Sequence, residues 1–239
     1  MSRARRRYII KRRRTVTGLA LVAAISFVAG MTDAVGLLLS GDFVSFMTGN
    51  TTRAALSFAN SDYSHALILY FALWVFVIGN ALGIVLAHTL SVLRTFVVLT
   101  GVAVTLAVAA FLPEAEYPRI QFYLVILAMG MINATVEHIE GLPIGLTYIT
   151  GALSRFGRGI GRWIVGDRNP TGWVIQTVPW TGMACGAVSG AFVTKYLGNN
   201  ALWVVVLAVV FLAFATILLP RSLHLHFHQQ PMGAARRRA

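Results

Sequence analysis

The sequence predicts an all-α membrane protein with six transmembrane helices in two inverted three-helix repeats, each with a short broken or re-entrant segment. Three observations lead to this fold class: the composition, the number of long apolar stretches and an internal repeat. Of the 239 residues, 57% are hydrophobic and only 12% are charged, whereas about a quarter of the residues of a soluble domain carry charge. This composition excludes an ordinary soluble domain.

Six apolar stretches come close to the length of a membrane-spanning helix, which needs about 20 mostly apolar residues. Two further apolar stretches, at 43–58 and 143–158, are too short to span comfortably. We therefore expect six spans and two short segments that enter the membrane without crossing it. The six long stretches lie at roughly 17–39, 64–87, 95–112, 120–138, 172–194 and 201–220.

The second half of the chain repeats a pattern of the first. "AGMTDA" at residues 29–34 is matched by "MGMINA" at 129–134, and "MTGNTTR" at 47–53 is matched by "ITGALSR" at 149–155. In each half, the next long span contains two glycines four residues apart, in "GNALG" and "GAVSG". With three spans in each half, the second half enters the membrane from the opposite side, which is the arrangement of an inverted repeat.

The predicted transmembrane domain covers residues 17–220, with repeat one at 17–112 and repeat two at 119–220. Basic tails flank it: residues 1–16 carry eight Arg or Lys residues, and residues 221–239 carry four. These charges equal the formal net charge of +12. Charge in such tails fixes membrane topology and contacts anionic lipid. Anionic membrane lipid is therefore a predicted partner of the tails, and nucleic acid is not a predicted partner.

The charge pattern predicts that both termini are cytoplasmic, because Lys and Arg collect in short cytoplasmic loops. With six spans, Arg94 and the arginines of 155–168 also fall inside, whereas the acidic loop "PEAEYPR" falls outside. An eight-span alternative, in which both short segments cross, keeps the termini inside but places Arg94 outside and the acidic loop inside. The six-span arrangement follows the charge rule more closely.

The motifs of both halves resemble a known family. The stretches "TDA", "FVSFMTGN", "GMINA" and "TYITGALSR" are similar to the YoaK-type family of bacterial inner-membrane proteins, which is grouped under a domain of unknown function. The resemblance covers about residues 17–220. It implies a small multi-pass protein of the bacterial inner (cytoplasmic) membrane, and it supplies no established substrate.

Asp33 is the most unusual polar residue of the first span. A carboxylate near the middle of a bilayer costs at least ~2.5 to 3.5 kcal/mol, so such a residue is a functional candidate. The leading hypothesis makes Asp33 a proton or cation site that faces the bundle interior. The alternative is that Asp33 hydrogen-bonds a neighbouring segment or pairs with Arg53. Its counterpart in the second half, Asn133, is neutral.

The two "TG" corners predict a site for an anionic or strongly polar solute. In each short segment, β-favouring residues precede Thr and Gly, which suits an extended piece leading into a half-helix. The free N–H groups at the start of each half-helix would point at a solute near the membrane midplane. Arg53 is either an anchor at the outer end of its half-helix or a solute contact. The predicted substrate-binding residues are Asp33, Thr48, Gly49, Asn50, Arg53, Asn133, Thr150 and Gly151.

The predicted function is a membrane transporter or channel for a small polar or anionic solute, with proton coupling through Asp33. The alternative is a non-transporting interaction or assembly protein whose polar motifs are structural. An enzyme is not predicted, because no Ser, Cys or His arrangement has the spacing of a hydrolase.

The histidines of the C-terminal tail are a weakly specific metal signal, so no metal or cofactor is predicted. A monomer of this length shields a polar path poorly, which favours a homodimer. The tail histidines are His224, His226 and His228.

Overall fold

The computed structural model describes residues 3–89, 93–113, 115–135, 138–139, 142–143, 149–167 and 171–218. Within these ranges the chain is helical apart from turns and one two-residue antiparallel pairing, between His138–Ile139 and Leu142–Pro143. The predicted all-helical class is therefore confirmed. The C-terminal tail, with its three histidines, lies outside the described residues. The helices are α1 (Arg3–Ser40), α2 (Met47–Ala59), α3 (Tyr63–Thr89), α4 (Arg94–Phe111), α5 (Pro118–Ile132), α6 (Ile149–Ile164), α7 (Thr171–Val174), α8 (Thr177–Leu197) and α9 (Ala201–Ile217).

Four stretches of the described chain are long and apolar enough to cross a membrane: Thr15–Ser40, Tyr63–Thr89, Arg94–Phe111 and Thr177–Ile217. In lipid every backbone polar group needs an internal partner, and a continuous helix provides one. The last stretch, of 41 residues, consists of α8 and α9, which a 3-10 turn at Gly198–Asn200 separates. Helix α5 is also apolar, but at 15 residues it is shorter than a full span.

Helix α5 ends earlier than the sequence predicted. Its start is favoured by Pro118, which suits the first turn of a helix. Its end lies at Ile132 rather than 138, because the next backbone N–H groups turn to carbonyls three residues back, as Thr135 does with Ile132. Helix α6 covers Ile149–Ile164, so the helical part of the second short segment begins at the predicted "TG" corner and ends six residues beyond the predicted 143–158.

Helices α1 and α8 pack closely through glycines. A Cβ atom added at Gly186 would overlap the backbone carbonyl of Phe27, and one added at Gly190 would overlap that of Met31. The residue numbers of the contacting pairs increase together along both helices, so α1 and α8 run parallel. Small residues at such contacts let two helix backbones approach, which is how helices commonly associate in membranes.

Helices α3 and α5 make a corresponding contact. A Cβ atom at Gly79 would overlap the carbonyl of Leu127, and one at Gly83 would meet the carbonyl of Met131. The glycines of α3 and α8 belong to the matched "GNALG" and "GAVSG" sequences, and their contacts lie at equivalent places on α5 and α1. The two halves of the chain therefore pack their helices through glycines at matched positions.

One end of the helical bundle gathers the C-terminal end of α1 with the N-terminal ends of α3, α5 and α9. Residues at these four ends, Ser40, His65, Arg119 and Leu202, line a common cavity. Because α2 connects α1 to α3, residues 41–62 leave this end of the bundle and return to it.

The segment 41–62, called the hairpin below, reaches into the bundle. Asp33 lies seven residues before the end of α1, about 10 Å along the helix axis, yet it accepts a hydrogen bond from the backbone N–H of Ser45 at 2.9 Å. The non-helical residues 41–46 therefore run back alongside α1, and α2 brings the chain out again. This geometry places several polar groups of the hairpin beside the end of α1.

Candidate functional site

Asp33 is held by the hairpin. Its Oδ1 atom accepts the hydrogen bond from the Ser45 N–H, and its side chain is half-buried. Of the two interpretations that the sequence left open, this contact matches a carboxylate that hydrogen-bonds a neighbouring segment. Asp33 does not pair with Arg53, because the ion pair of Arg53 is made with Asp42.

Asp42 is the centre of a charged cluster at the mouth of the hairpin. Its Oδ1 atom lies 2.8 Å from Nη1 of Arg53, and its Oδ2 atom lies 2.8 Å from Nε2 of His65. Nη1 of Arg53 also donates to the backbone carbonyl of Gly41. Nδ1 of His65 is 3.1 Å from the Ser57 hydroxyl, which fits a tautomer that donates to Asp42 and accepts from Ser57. One carboxylate thus ties the start of the hairpin to α2 and to α3.

The first turn of α2 is fixed by contacts within the hairpin. Helix α2 begins at Met47 after Phe46, and no side chain caps it. Asn50 is fully buried and donates from Nδ2 to the Phe43 carbonyl at 2.7 Å, while its Oδ1 atom has no partner in the described part of the chain. A Cβ atom at Gly49 would overlap the Phe46 ring, so this corner packs against aromatic side chains. Thr48 is exposed.

A cavity of about 300 Å³ lies beside the Asp42 cluster. Its polar lining includes Asp42, His65, Arg119 and Gln121. Gln121 is buried and donates from Nε2 to the Ala109 carbonyl at 3.0 Å. Its amide oxygen, Oε1, is an acceptor. The apolar wall comes from four helices and the hairpin, and consists of Leu39, Val44, Ile68, Phe122, Val125 and Leu202.

Arg119 is a cationic group of the cavity that has no carboxylate within 4.0 Å among the described residues. It stands in the first turn of α5 and is exposed. In the described ranges the ion pairs within 4.0 Å both involve Asp42, with Arg53 and His65 as the partners. The guanidinium of Arg119 is therefore available to a ligand that enters from this end of the bundle.

The predicted residues of the second half lie elsewhere. Asn133 follows the end of α5 and donates from Nδ2 to the Met129 carbonyl at 3.3 Å. In α6, Thr150 is exposed and Gly151 is buried. Arg155, the counterpart of Arg53, donates from Nε to Oε1 of Gln176 at 2.9 Å rather than to a carboxylate.

The structure brings part of the predicted site together. Asp33, Asn50 and Arg53 all make contacts within the hairpin or with it, but none of the predicted residues lines the cavity. The residues that sequence reasoning missed are Asp42, His65, Arg119 and Gln121. Asp42 carried a usable signal, since it is an acid in a segment predicted to re-enter the membrane. The other three stand near the starts of helices, where polar residues are ordinary.

Comparison with known proteins identifies relatives of the chain. Residues 21–215 match a family described as "Protein of unknown function (DUF1275)". Over 229 residues the chain is 53% identical to the UPF0700 transmembrane protein RA0705 of Rhizobium meliloti (strain 1021), and the match covers 96% of this chain and 99% of that protein. No solved structure gives a significant match. These matches confirm the resemblance to a membrane protein family of unknown function.

Proposed function

The chain belongs to the DUF1275 family of proteins of unknown function, and we propose that it is a transporter or channel for a small polar or anionic solute. It is a membrane protein, as its apolar helices and its transmembrane relative indicate. The observation that supports transport is the cavity of about 300 Å³ at one end of the bundle, lined by charged and polar side chains. Packed protein interiors contain few voids larger than a water molecule, so a polar cavity of this size favours a bound solute.

The proposed topology has six spans in two inverted repeats, each with a re-entrant segment. Two observations support it: the glycine contacts of α1 with α8 and of α5 with α3 correspond, and the hairpin leaves and returns at the same end of the bundle. In the bacterial inner membrane, with both basic tails in the cytoplasm, the cavity would open on the opposite, periplasmic side. The solute would then enter from that side.

The hairpin is the proposed moving part, and Asp33 is its proposed proton-sensitive contact. An ionised carboxylate accepts a shorter and stronger hydrogen bond than a neutral group does. Protonation of Asp33 would therefore weaken its bond to the Ser45 N–H and loosen the inner end of the hairpin. Because the hairpin forms one wall of the cavity through Asp42 and Val44, its movement would open a path from the cavity into the bundle.

Solute flux into proteoliposomes tests this proposal. A panel of small anions and neutral polar solutes would be assayed for the unmodified protein, Asp33→Asn and the control Asp62→Asn, which alters an exposed carboxylate that does not line the cavity. We expect flux of at least one solute, with a pH dependence that Asp33→Asn removes and the control keeps. Unchanged pH dependence in Asp33→Asn would remove the carboxylate from the mechanism, and absence of flux across the panel would refute transport.

The second candidate is a non-transporting interaction or assembly protein. The observation in its favour is that Asp33, Asn50 and Arg53 all have partners within the chain, so their polarity has a structural use. This candidate predicts that Asp33→Asn lowers stability in detergent, whereas no solute moves. The homodimer expected from the short chain belongs to either candidate, and cross-linking in native membranes would test it.

A further inference from the structure

We propose that the cavity is a binding site for a small organic anion, with Arg119 contacting its carboxylate and the apolar wall contacting its hydrocarbon body. This inference rests on the proposed function for its biological role, because it names the class of solute. Binding of the anion to the cavity can be measured at equilibrium, without transport.

The charges around the cavity favour an anion. Both oxygens of the Asp42 carboxylate are already engaged, one by Arg53 and the other by His65. The charge of Asp42 is therefore balanced before any ligand enters, and its repulsion of an anion is reduced. Arg119 then adds a positive charge that no carboxylate of the described chain neutralises within 4.0 Å.

The chemistry of Arg119 favours a carboxylate. A guanidinium presents its N–H donors in a planar fork that matches the two oxygens of a carboxylate. Next to it, Gln121 donates one N–H of Nε2 to the Ala109 carbonyl, so its side chain keeps Oε1 as an acceptor and the second N–H of Nε2 as a donor. A hydroxyl or amide N–H on the ligand would donate to the Oε1 acceptor of Gln121.

The size and walls of the cavity favour a compact ligand with an apolar body. A volume of about 300 Å³ lies at the small end of the range of small-molecule pockets, about 300–1,000 Å³. Leu39, Ile68, Phe122 and Leu202 surround this space, and burying apolar ligand surface against them adds affinity. An inorganic ion would leave the apolar wall uncovered.

The test is binding of defined probes to the purified full chain, by calorimetry and by thermal shift at one fixed neutral pH. The probes are butyrate and benzoate as organic anions, 1-butanol and butylamine as neutral and cationic compounds of similar size, and inorganic phosphate. We expect the two carboxylates to bind and to raise the apparent melting temperature. Butylamine or phosphate binding as tightly as benzoate would overturn the assignment of an organic anion.

Two substitutions test the role of Arg119. Arg119→Gln removes the charge at an exposed position and is expected to raise the Kd for benzoate by roughly 5-fold, the effect of one ion pair at an exposed position. Arg162→Gln is the matched control, because Arg162 is exposed on α6 and does not line the cavity; its Kd should equal that of the unmodified protein. An equal loss in both variants, or none in Arg119→Gln, would overturn the proposed contact.

Binding and flux separate this inference from the proposed function. If benzoate binds in an Arg119-dependent manner but no carboxylate crosses the membrane, the site is correct and transport is wrong. If another solute is transported while neither carboxylate binds, transport stands and the organic-anion assignment fails.

Discussion

Removal of the Asp42 charge should loosen the hairpin while leaving the spans folded. In Asp42→Asn, the contacts of the carboxylate with Arg53 and His65, both at 2.8 Å, lose their ionic character. A hydrogen bond to a charged group contributes about 1.5–3 kcal/mol when buried, but an exposed ion pair contributes only about 0.2–1 kcal/mol. The Asp42 side chain is 12% exposed and that of Arg53 is 42% exposed, so each contact falls between these ranges.

The expected cost of Asp42→Asn is therefore about 2 kcal/mol for the two contacts together, since Arg53 keeps its bond to the Gly41 carbonyl. Because about 1.4 kcal/mol corresponds to a factor of ten, local opening of the hairpin should become roughly 30-fold more frequent. Amide hydrogen exchange reports such local opening directly. Peptides that cover 43–60 should exchange faster, and peptides of α4 should not change.

Asp62→Asn provides the matched comparison for this prediction. Asp62 also contacts His65, but its Oδ1 atom accepts a hydrogen bond from the His65 backbone N–H at 3.1 Å, and Asp62 is exposed at the end of the hairpin. Its substitution should leave exchange of 43–60 within a few-fold of the unmodified protein. If Asp42→Asn exchanges no faster than Asp62→Asn in this region, the carboxylate does not hold the hairpin and the reasoning is refuted.

Three further predictions concern stability, each measured by unfolding of the purified protein in detergent. Gly186→Ala should lower the free energy of unfolding by about 1–3 kcal/mol or more, because its Cβ would overlap the Phe27 carbonyl. The control Gly157→Ala, with open space around it, should raise the free energy of unfolding by up to about 1 kcal/mol. Equal effects of the two substitutions would contradict close packing of α1 on α8. Gly198→Ala should lower the free energy of unfolding by about 1–3 kcal/mol, because φ is +54° and ψ is −130° at the turn before α9. Residues with a side chain rarely adopt this backbone conformation. An unchanged unfolding midpoint would show that the turn has another conformation. Ser26→Ala should cost nothing or stabilise, because the buried Ser26 hydroxyl has no partner in the described chain; a marked loss of stability would reveal a hydrogen bond to that hydroxyl.

Sequence reasoning predicted the all-helical class and the bounds of α3 and α4, because their cause is local. A long apolar stretch in lipid must satisfy its backbone by forming a helix, and this requirement can be read from the residues alone. The predicted 64–87 and 95–112 agree closely with α3, Tyr63–Thr89, and α4, Arg94–Phe111. The end of α5 was less predictable, because the turn after Ile132 depends on hydrogen bonds rather than on hydropathy.

The partners of the polar residues could not be predicted in the same way. Asp33 and Arg53 were both recognised as unusual, yet Asp33 contacts the Ser45 backbone and Arg53 pairs with Asp42. Eleven or twelve residues separate each of these pairs in the chain, and whether they meet depends on how far the hairpin runs back along α1. That depth is set by packing, which no local pattern records.

The sequence by itself determined that the chain is a helical membrane protein with matched motifs in its two halves, because composition and apolar length are properties of the residues alone. The tertiary structure decided which polar groups meet. It placed His65, Arg119 and Gln121, which come from two different helices, at one cavity with Asp42. The physical reason is that helix ends distant in the chain become neighbours only when the glycine contacts of α1 with α8 and of α3 with α5 fix how the helices lie together.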